Sequence, residues 1–408
     1  MHLPSYMKGL KILLCAPHIK ISGVGGAATH HTEFAKALVK LGVEVHMLVD
    51  CEREGELNGA KLHPAHVSKL PVARFFASYN SVKEAKRICL QYGIDIVHDR
   101  ADTGQVTGYL IAKKLRLPRV AEVNYNFLSY ERKNSILIDN ILYPVLQIIK
   151  KNWIKRVVAS ADKVTAVSKS LKQILIREGV DANKIYAIPN GADPVQWKPY
   201  DNERAKKELK INTNDIVVIQ IGELGPRHGI VELIKVVSTL SKTYPNLRLY
   251  LIGGDKYPDY IEKAKLLAES ECPGNVIFTG VKVGDDRRKL LAAADIATVS
   301  YEEKPGEEPY GFSPIKMFEY LASGKLVLAT DSEWNREIIA DEINGILTDF
   351  NDLESGLSRA IELSKNTKRR KEIEANARRL VVEKYNWENV AHSYIRVYEE
   401  ILRKTGKQ

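Results

Sequence analysis

The sequence predicts an α/β protein of two Rossmann-like, doubly wound domains facing across a cleft. Three observations carry that expectation. Residues 11–49 read as strand, glycine-rich loop, helix and strand, and a βαβ opening of this kind builds a parallel sheet. After the turn cluster PNGADP (189–194) a second βα series begins. The chain, at 408 residues, is long enough for two cores. The expected division is 1–192, 193–385 and a terminal helix at 386–408.

Taken in order, KILLCA (11–16) is a buried strand, and ISGVGGAATHH (21–31) is the glycine-rich loop. A helix follows over about 29–41 and stops at Gly42, where a positive φ costs nothing. Strands are expected at 43–49, 94–98 and 118–124, with a helix at 104–115. A basic, partly amphipathic segment (134–160) leads to a strand at 163–167, a helix at 168–178 and a strand at 185–188. Beyond the turn cluster, strands at 216–222, 247–252, 276–279 and 295–299 alternate with helices at about 229–243 and 286–293. The last helix, about 387–403, carries Val390, Tyr394, Val397, Tyr398 and Leu402 at helical spacing.

Residues 309–331, PYGFSPIKMFEYLASGKLVLATD, hold the densest functional signal. Ser313 is placed as an N-cap, Pro314 as the first helical residue, and Gly324 as the left-handed stop. The free amides of such a helix start, around Ile315 and Lys316, attract an anion. Glu319 lies on the same face and leans toward that end. A diphosphate at the amides and a ribose diol at Glu319 satisfy both, which is the layout of a nucleoside diphosphate. A capped helix with one surface glutamate fits the same residues.

Charge is uneven along the chain. Residues 1–200 hold 29 Lys and Arg against 17 Asp and Glu, and the remainder 32 against 34. An anionic membrane surface at the basic first half, through Lys150, Lys151, Lys155 and Arg156 with Trp153 and Ile154 inserting, accounts for that excess. A solvated basic surface accounts for it more simply. Nothing points to nucleic acid. The four cysteines, Cys15, Cys51, Cys89 and Cys272, have no metal-type spacing and suit a reducing compartment. With no signal peptide pattern and no apolar run near the ~20 residues of a membrane span, the expected placement is cytoplasmic, either free or peripheral at the inner face of the membrane.

A dinucleotide fingerprint also has to be weighed. Gly23-x-Gly25-x-x-Ala28 fits it, and Asp50 stands 22 residues beyond Ala28. The first glycine, however, lies well past the apolar run ending at Ala16, so the tight turn of that motif is not expected. A flexible backbone loop that a diphosphate or acceptor can approach closely is the preferred reading.

Together GGAATHHTEFAKALVKLG (25–42), DIVHDR (95–100), TAVSKSLKQIL (165–175), IPNGAD (188–193) and SPIKMFEYLASG (313–324) resemble glycosyltransferase family 4, retaining enzymes of the GT-B fold. The resemblance covers nearly the whole chain. It implies a nucleotide-diphosphate sugar as donor, held mainly by the second domain, an unidentified acceptor on the first, and no metal or other cofactor. By position, Glu319 matches the glutamate that holds the ribose, and Ile315 and Lys316 match the diphosphate cradle. Gly25 and Gly26 match the loop beside the donor phosphates, and His30 the histidine that follows it.

Three departures stand out. The family's first glutamate falls on Gly311, with Glu307, Glu308 or Tyr310 as substitutes. The usual phosphate-binding arginine and lysine fall on Glu223 and His228, leaving Arg227 as the nearest cation. The histidine after the fourth strand falls on Asn124, in EVN (122–124). The implied catalytic set is therefore Glu319, Arg227 and His228, with either His228⁺ or Arg227 as the cation at the phosphate, and with Glu122 and Asn124 on the sugar and acceptor side. A non-catalytic nucleotide-sugar-binding or partner protein of the same fold is the alternative, and a GT-B epimerase a third.

Overall fold

The computed structural model describes residues 9–65, 73–102, 105–126, 148–149, 151–254, 256–303 and 310–404. Its contacts divide the chain into two units. One comprises Met1–Asn190, Gly306–Ser313 and Trp387–Gln408; the other comprises Gly191–Pro305 and Pro314–Asn386. The division in the first linker falls at Asn190, inside the expected turn cluster. The return of residues 310–313 to the first unit is a feature no local pattern signals.

In the first unit, β1 (Lys11–Lys20), β2 (Glu44–Asp50), β3 (Gly55–Leu57), β4 (Ala60–Pro64), β5 (Ile96–Arg100), β6 (Arg119–Val123), β7 (Lys163–Ala166) and β8 (Ile185–Ala187) form one sheet. Their order is β3-β4-β2-β1-β5-β6-β7-β8, parallel throughout except for the β3–β4 hairpin. Helices α1 (Gly26–Lys40), α2 (Ala73–Tyr92), α3 (Thr107–Leu115) and α4 (Lys169–Arg177) make the crossovers. Strand β1 outruns its apolar core: it passes through Pro17 by an irregularity between Ala16 and Lys20, where Lys20 pairs Asp50. Such a bulge accommodates a proline, which has no ladder N–H to give. Gly23 N then donates to Lys20 O at 2.9 Å, so a tight turn does follow the strand, correcting the expectation that it is missing.

The C-terminal helix Trp387–Lys404 belongs to this unit, and its apolar face packs on α1. Phe34 and Tyr394 bring their rings to 4.5 Å there. In the basic segment, Ile154 is buried in a core with Val158, Leu171 and Ile174, with Trp153 packed against it. Ile154 is therefore unavailable to a membrane, while Lys151, Lys155, Arg156 and the apolar Ile148 and Ile149 are exposed. Lys150 lies outside the described residues. Among the described residues no helix is long and apolar enough to cross a membrane.

The second unit has β9 (Ile216–Gly222), β10 (Leu247–Gly253), β11 (Val276–Gly280), β12 (Ile296–Val299), β13 (Leu326–Thr330) and β14 (Ile346–Thr348) in the order β11-β10-β9-β12-β13-β14, all parallel. Its described helices include α5 (Asn202–Glu208), α6 (Ile230–Leu240), α7 (Pro258–Glu271), α8 (Gly284–Ala293), α9 (Ile315–Ala322), α10 (Leu353–Lys365) and α11 (Thr367–Glu383). Strands buried on both faces read as continuous apolar runs, as in IVVIQI and LVLA, because helices cover each side. Both expected doubly wound sheets are thus present.

Candidate functional site

The strand order of the second unit reverses between β9 and β12, and ligands in such sheets bind outside the strand ends at that point. The loop after β9 and the residues after β12 meet there. His228 O accepts Gln220 Nε2 at 2.7 Å and Ser300 Oγ at 2.8 Å, and its ring lies 4.9 Å from that of Tyr301. Gly229 ends this turn at φ +59°, where a Cβ would also stand 2.8 Å from Phe350.

Helix α9 delivers the rest. Tyr320 OH accepts the Ile221 amide at 2.8 Å and ties the helix to the end of β9. Pro314, with φ −66° and ψ 119°, is the N-cap, so the helix starts one residue later than expected. Ser313 does not cap it: its Oγ accepts the Asn190 amide at 2.9 Å instead. The Ile315 and Lys316 amides are first-turn donors with no intrahelical acceptor. Lys316 is buried, and its Nζ lies 4.9 Å from the centre of the Tyr301 ring. Burial, with Arg287 adding repulsion, brings its pKa from 10.5 to about 7. Glu319 is 2% exposed and forms an ion pair with Arg287 of α8, whose guanidinium sits 4.9 Å from the Trp197 ring.

Charge in the 222–229 loop differs from the expectation. The ring of His228 accepts the Gly225 amide through Nδ1 at 3.3 Å, and burial with the nearby Lys316 lowers its pKa to about 3. The imidazole is thus neutral near pH 7, which corrects the expected His228⁺; with Nδ1 accepting, Nε2 carries the proton. Glu223 is exposed and holds Lys256 at 3.1 Å, so the acidic substitution brings its own cation. Arg227 is half-buried beside them, with its carbonyl accepting the Glu302 amide at 3.0 Å.

In the first unit, Glu122, the penultimate residue of β6, is buried. His30 Nε2 lies 2.8 Å from its Oε1, His98 Nε2 lies 3.5 Å from its Oε2, and Tyr394 OH donates to Oε1 at 2.8 Å. Burial alone raises a carboxyl pKa, but His30 and His98 outweigh it and hold Glu122 well below its usual range. Burial pushes neighbouring His31 well below 6.5, so that ring is neutral. Asn190 bridges His30 Nδ1 (2.7 Å) and Ser313 O (2.6 Å). Asn124 is half-buried just beyond β6. Gly25, the N-cap of α1 with φ +150°, and Gly26 are exposed.

The missing glutamate at 311 has a steric reason. Gly311 has φ +62°, and a Cβ would stand 2.9 Å from Leu171 Cβ. Its carbonyl accepts Ser168 Oγ at 2.8 Å, which fixes that geometry. Tyr310 is buried and its carbonyl accepts the Asn126 amide at 2.9 Å. Glu307 and Glu308 lie outside the described residues. Arg287 and Lys256 in the second unit, and His98, Asn190 and Tyr394 in the first, were not expected to make these contacts. His98 and Asn190 lie inside DIVHDR and IPNGAD, and Arg287 and Tyr394 lie on helices, but their partners come from distant parts of the sequence, which no local spacing marks.

Residues 24–196 match the family described as Glycosyltransferase Family 4, and residues 201–380 match Glycosyl transferases group 1. An uncharacterised glycosyltransferase of Methanocaldococcus jannaschii is 24% identical over 400 residues, 94% of this chain and 96% of that protein. The N-acetyl-alpha-D-glucosaminyl L-malate synthase of Bacillus anthracis is also 24% identical, over 98% of this chain and 99% of its own. Among solved structures, Anabaena HepE in complex with UDP-glucose superposes with a TM-score of 0.75 at 19% identity, covering 96% of this chain and 100% of that one.

Proposed function

Because this chain belongs to glycosyltransferase family 4, with the GT-B fold, we propose that it moves a sugar from a nucleotide-diphosphate donor to an acceptor with retention of anomeric configuration. The observation that carries the donor reading is the first turn of α9. Its free amides, the buried Lys316 ammonium and the Arg287-steadied Glu319 carboxylate stand on one helix beside the sheet's switch point. In this reading the diphosphate lies on the Ile315 and Lys316 amides, and Glu319 accepts hydrogen bonds from the ribose.

As the bond from the sugar's anomeric carbon to the phosphate oxygen breaks, its electron pair stays on the diphosphate. Lys316, Arg227 and the helix amides stabilise that charge, and His228 donates Nε2–H to a phosphate oxygen. The acceptor hydroxyl attacks from the face the diphosphate leaves, and its proton passes to a leaving-group oxygen, so retention needs no protein nucleophile. The acceptor is assigned to the first unit at Asn124, which is half-buried just beyond β6, while Glu122 and His30 are too buried to touch it. Orientation then supplies much of the acceleration. A panel of UDP-, GDP- and ADP-sugars tests the reading. One donor should raise the melting temperature and be slowly hydrolysed; a panel with no binding and no hydrolysis removes it.

A further inference from the structure

One cluster in the first unit is over-supplied with buried ligand atoms. His30, His31 and Glu122 are each at most 3% exposed, and one ligand atom from each lies within 4.8 Å of the others. His30 Nε2, both nitrogens of His31, and Glu122 Oε2 lack a properly aligned hydrogen bond among the described residues. Leaving such groups unpaired in a protein interior is costly, so their convergence calls for a partner.

Proton placement narrows what that partner is. Asn190 Nδ2 donates to Ser313 O, which turns Asn190 Oδ1 toward His30 Nδ1. An amide oxygen only accepts, so Nδ1 carries the imidazole proton and the lone pair is at Nε2. That lone pair faces a carboxylate oxygen, Glu122 Oε1, at 2.8 Å. Two lone pairs at this distance need a cation between them, either a second proton or a metal ion. A proton satisfies His30 and Glu122 but leaves His31 without a partner. A metal ion satisfies all three.

We propose that His30, His31 and Glu122 form a binding site for one divalent transition-metal ion of the zinc type. Two imidazoles and a carboxylate are a ligand set suited to that class. The outer contacts are those such sites use: Asn190 fixes the tautomer of His30, and Tyr394 OH holds Glu122 Oε1. Bonds of about 2.1 Å in a tetrahedron put ligand atoms about 3.4 Å apart, so no separation closes by more than about 1.4 Å, and the 2.8 Å His30–Glu122 one opens by about 0.6 Å, through side-chain rotation. The site is distinct from the proposed donor site and needs no donor. Adjacent histidines on a helix with a glutamate from a remote strand have no sequence spacing to announce them.

The test uses the full chain, freed of metal with a chelator and titrated with Zn²⁺ against a competing chromophore. One equivalent should bind at micromolar affinity or tighter. His31→Gln and Glu122→Gln should each weaken it by more than tenfold, and Asn190→Ala by about tenfold, as outer-contact changes do. The control is His63→Gln, because Glu54, His63 and Glu84 also converge within 4.8 Å, although Arg87 already pairs with both of those glutamates. Absence of saturable binding overturns the proposal. So does binding that His63→Gln abolishes and His31→Gln leaves intact. Should the buried variants unfold, anomalous scattering at the zinc edge from wild-type crystals decides: density among His30, His31 and Glu122 supports the site, and density elsewhere or none rejects it.

Discussion

Lys316→Met is the most informative single change, because the structure sets its function and its stability against each other. The ammonium is 8% exposed, and burial with Arg287 opposes its charge more than Glu223 and Glu319 support it. A pKa brought from 10.5 to about 7 corresponds to a charging cost of about 5 kcal/mol as an upper bound. The native chain then binds fewer protons than the unfolded one between about pH 7 and 10, so its stability rises with pH across that window. Lys316→Met should be more stable than wild type at pH 6 to 7, and that gain should shrink toward pH 10.

Donor binding should change in the opposite sense. A diphosphate favours the ammonium, so wild-type affinity should be highest below about pH 7 and fall as the free lysine deprotonates. One pH unit above that pKa the loss approaches about tenfold. Calorimetric titration with a nucleotide sugar at constant ionic strength from pH 6 to 9 reads it directly. The diester phosphates of that ligand do not titrate in the range, and His228, with a pKa of about 3, adds nothing to the slope. Flat wild-type affinity, or the same slope in Lys316→Met, refutes the assignment of Lys316 to the donor phosphates.

Glu319→Gln should keep the fold and weaken nucleotide affinity by roughly 1.5–3 kcal/mol, the worth of a charge-assisted hydrogen bond; equal affinity by calorimetry removes the ribose role. Gly311→Glu should destabilise by about 1–3 kcal/mol in denaturant melts, from the left-handed backbone and the Leu171 contact, without raising activity. Binding to anionic vesicles at low salt should weaken in Lys155→Glu and Arg156→Glu by about 1 kcal/mol per site, and flotation showing no wild-type binding ends that proposal.

Much of this molecule is legible locally. The apolar runs at 216–222 and 247–252 and the spacing in 387–403 give their elements because burial on both faces, or on one helical stripe, leaves a strong period. What local reading loses is set by distant partners. Strand β1 runs to Lys20 because Asp50 pairs with it, and the short β3–β4 hairpin has too few residues for a period. Ser313 looks like a helix cap, yet Asn190 takes its hydroxyl. His228 looks like a cation, yet its surroundings hold it neutral. Glu319 is named by its helix, whereas Arg287 comes from a helix elsewhere in the sequence and reaches it only in the fold.

In the proposed function, the amide-bearing turn of α9, with Lys316 and Glu319, holds a nucleotide sugar for transfer. Proton NMR of donor turnover, run with wild type and Lys316→Met on the donor that stabilises the chain, tests it most directly. An α-linked donor should release its sugar first as the α anomer, and turnover should fall in Lys316→Met by about tenfold or more at pH 6. Release of the β anomer, or undiminished turnover in the variant, contradicts it.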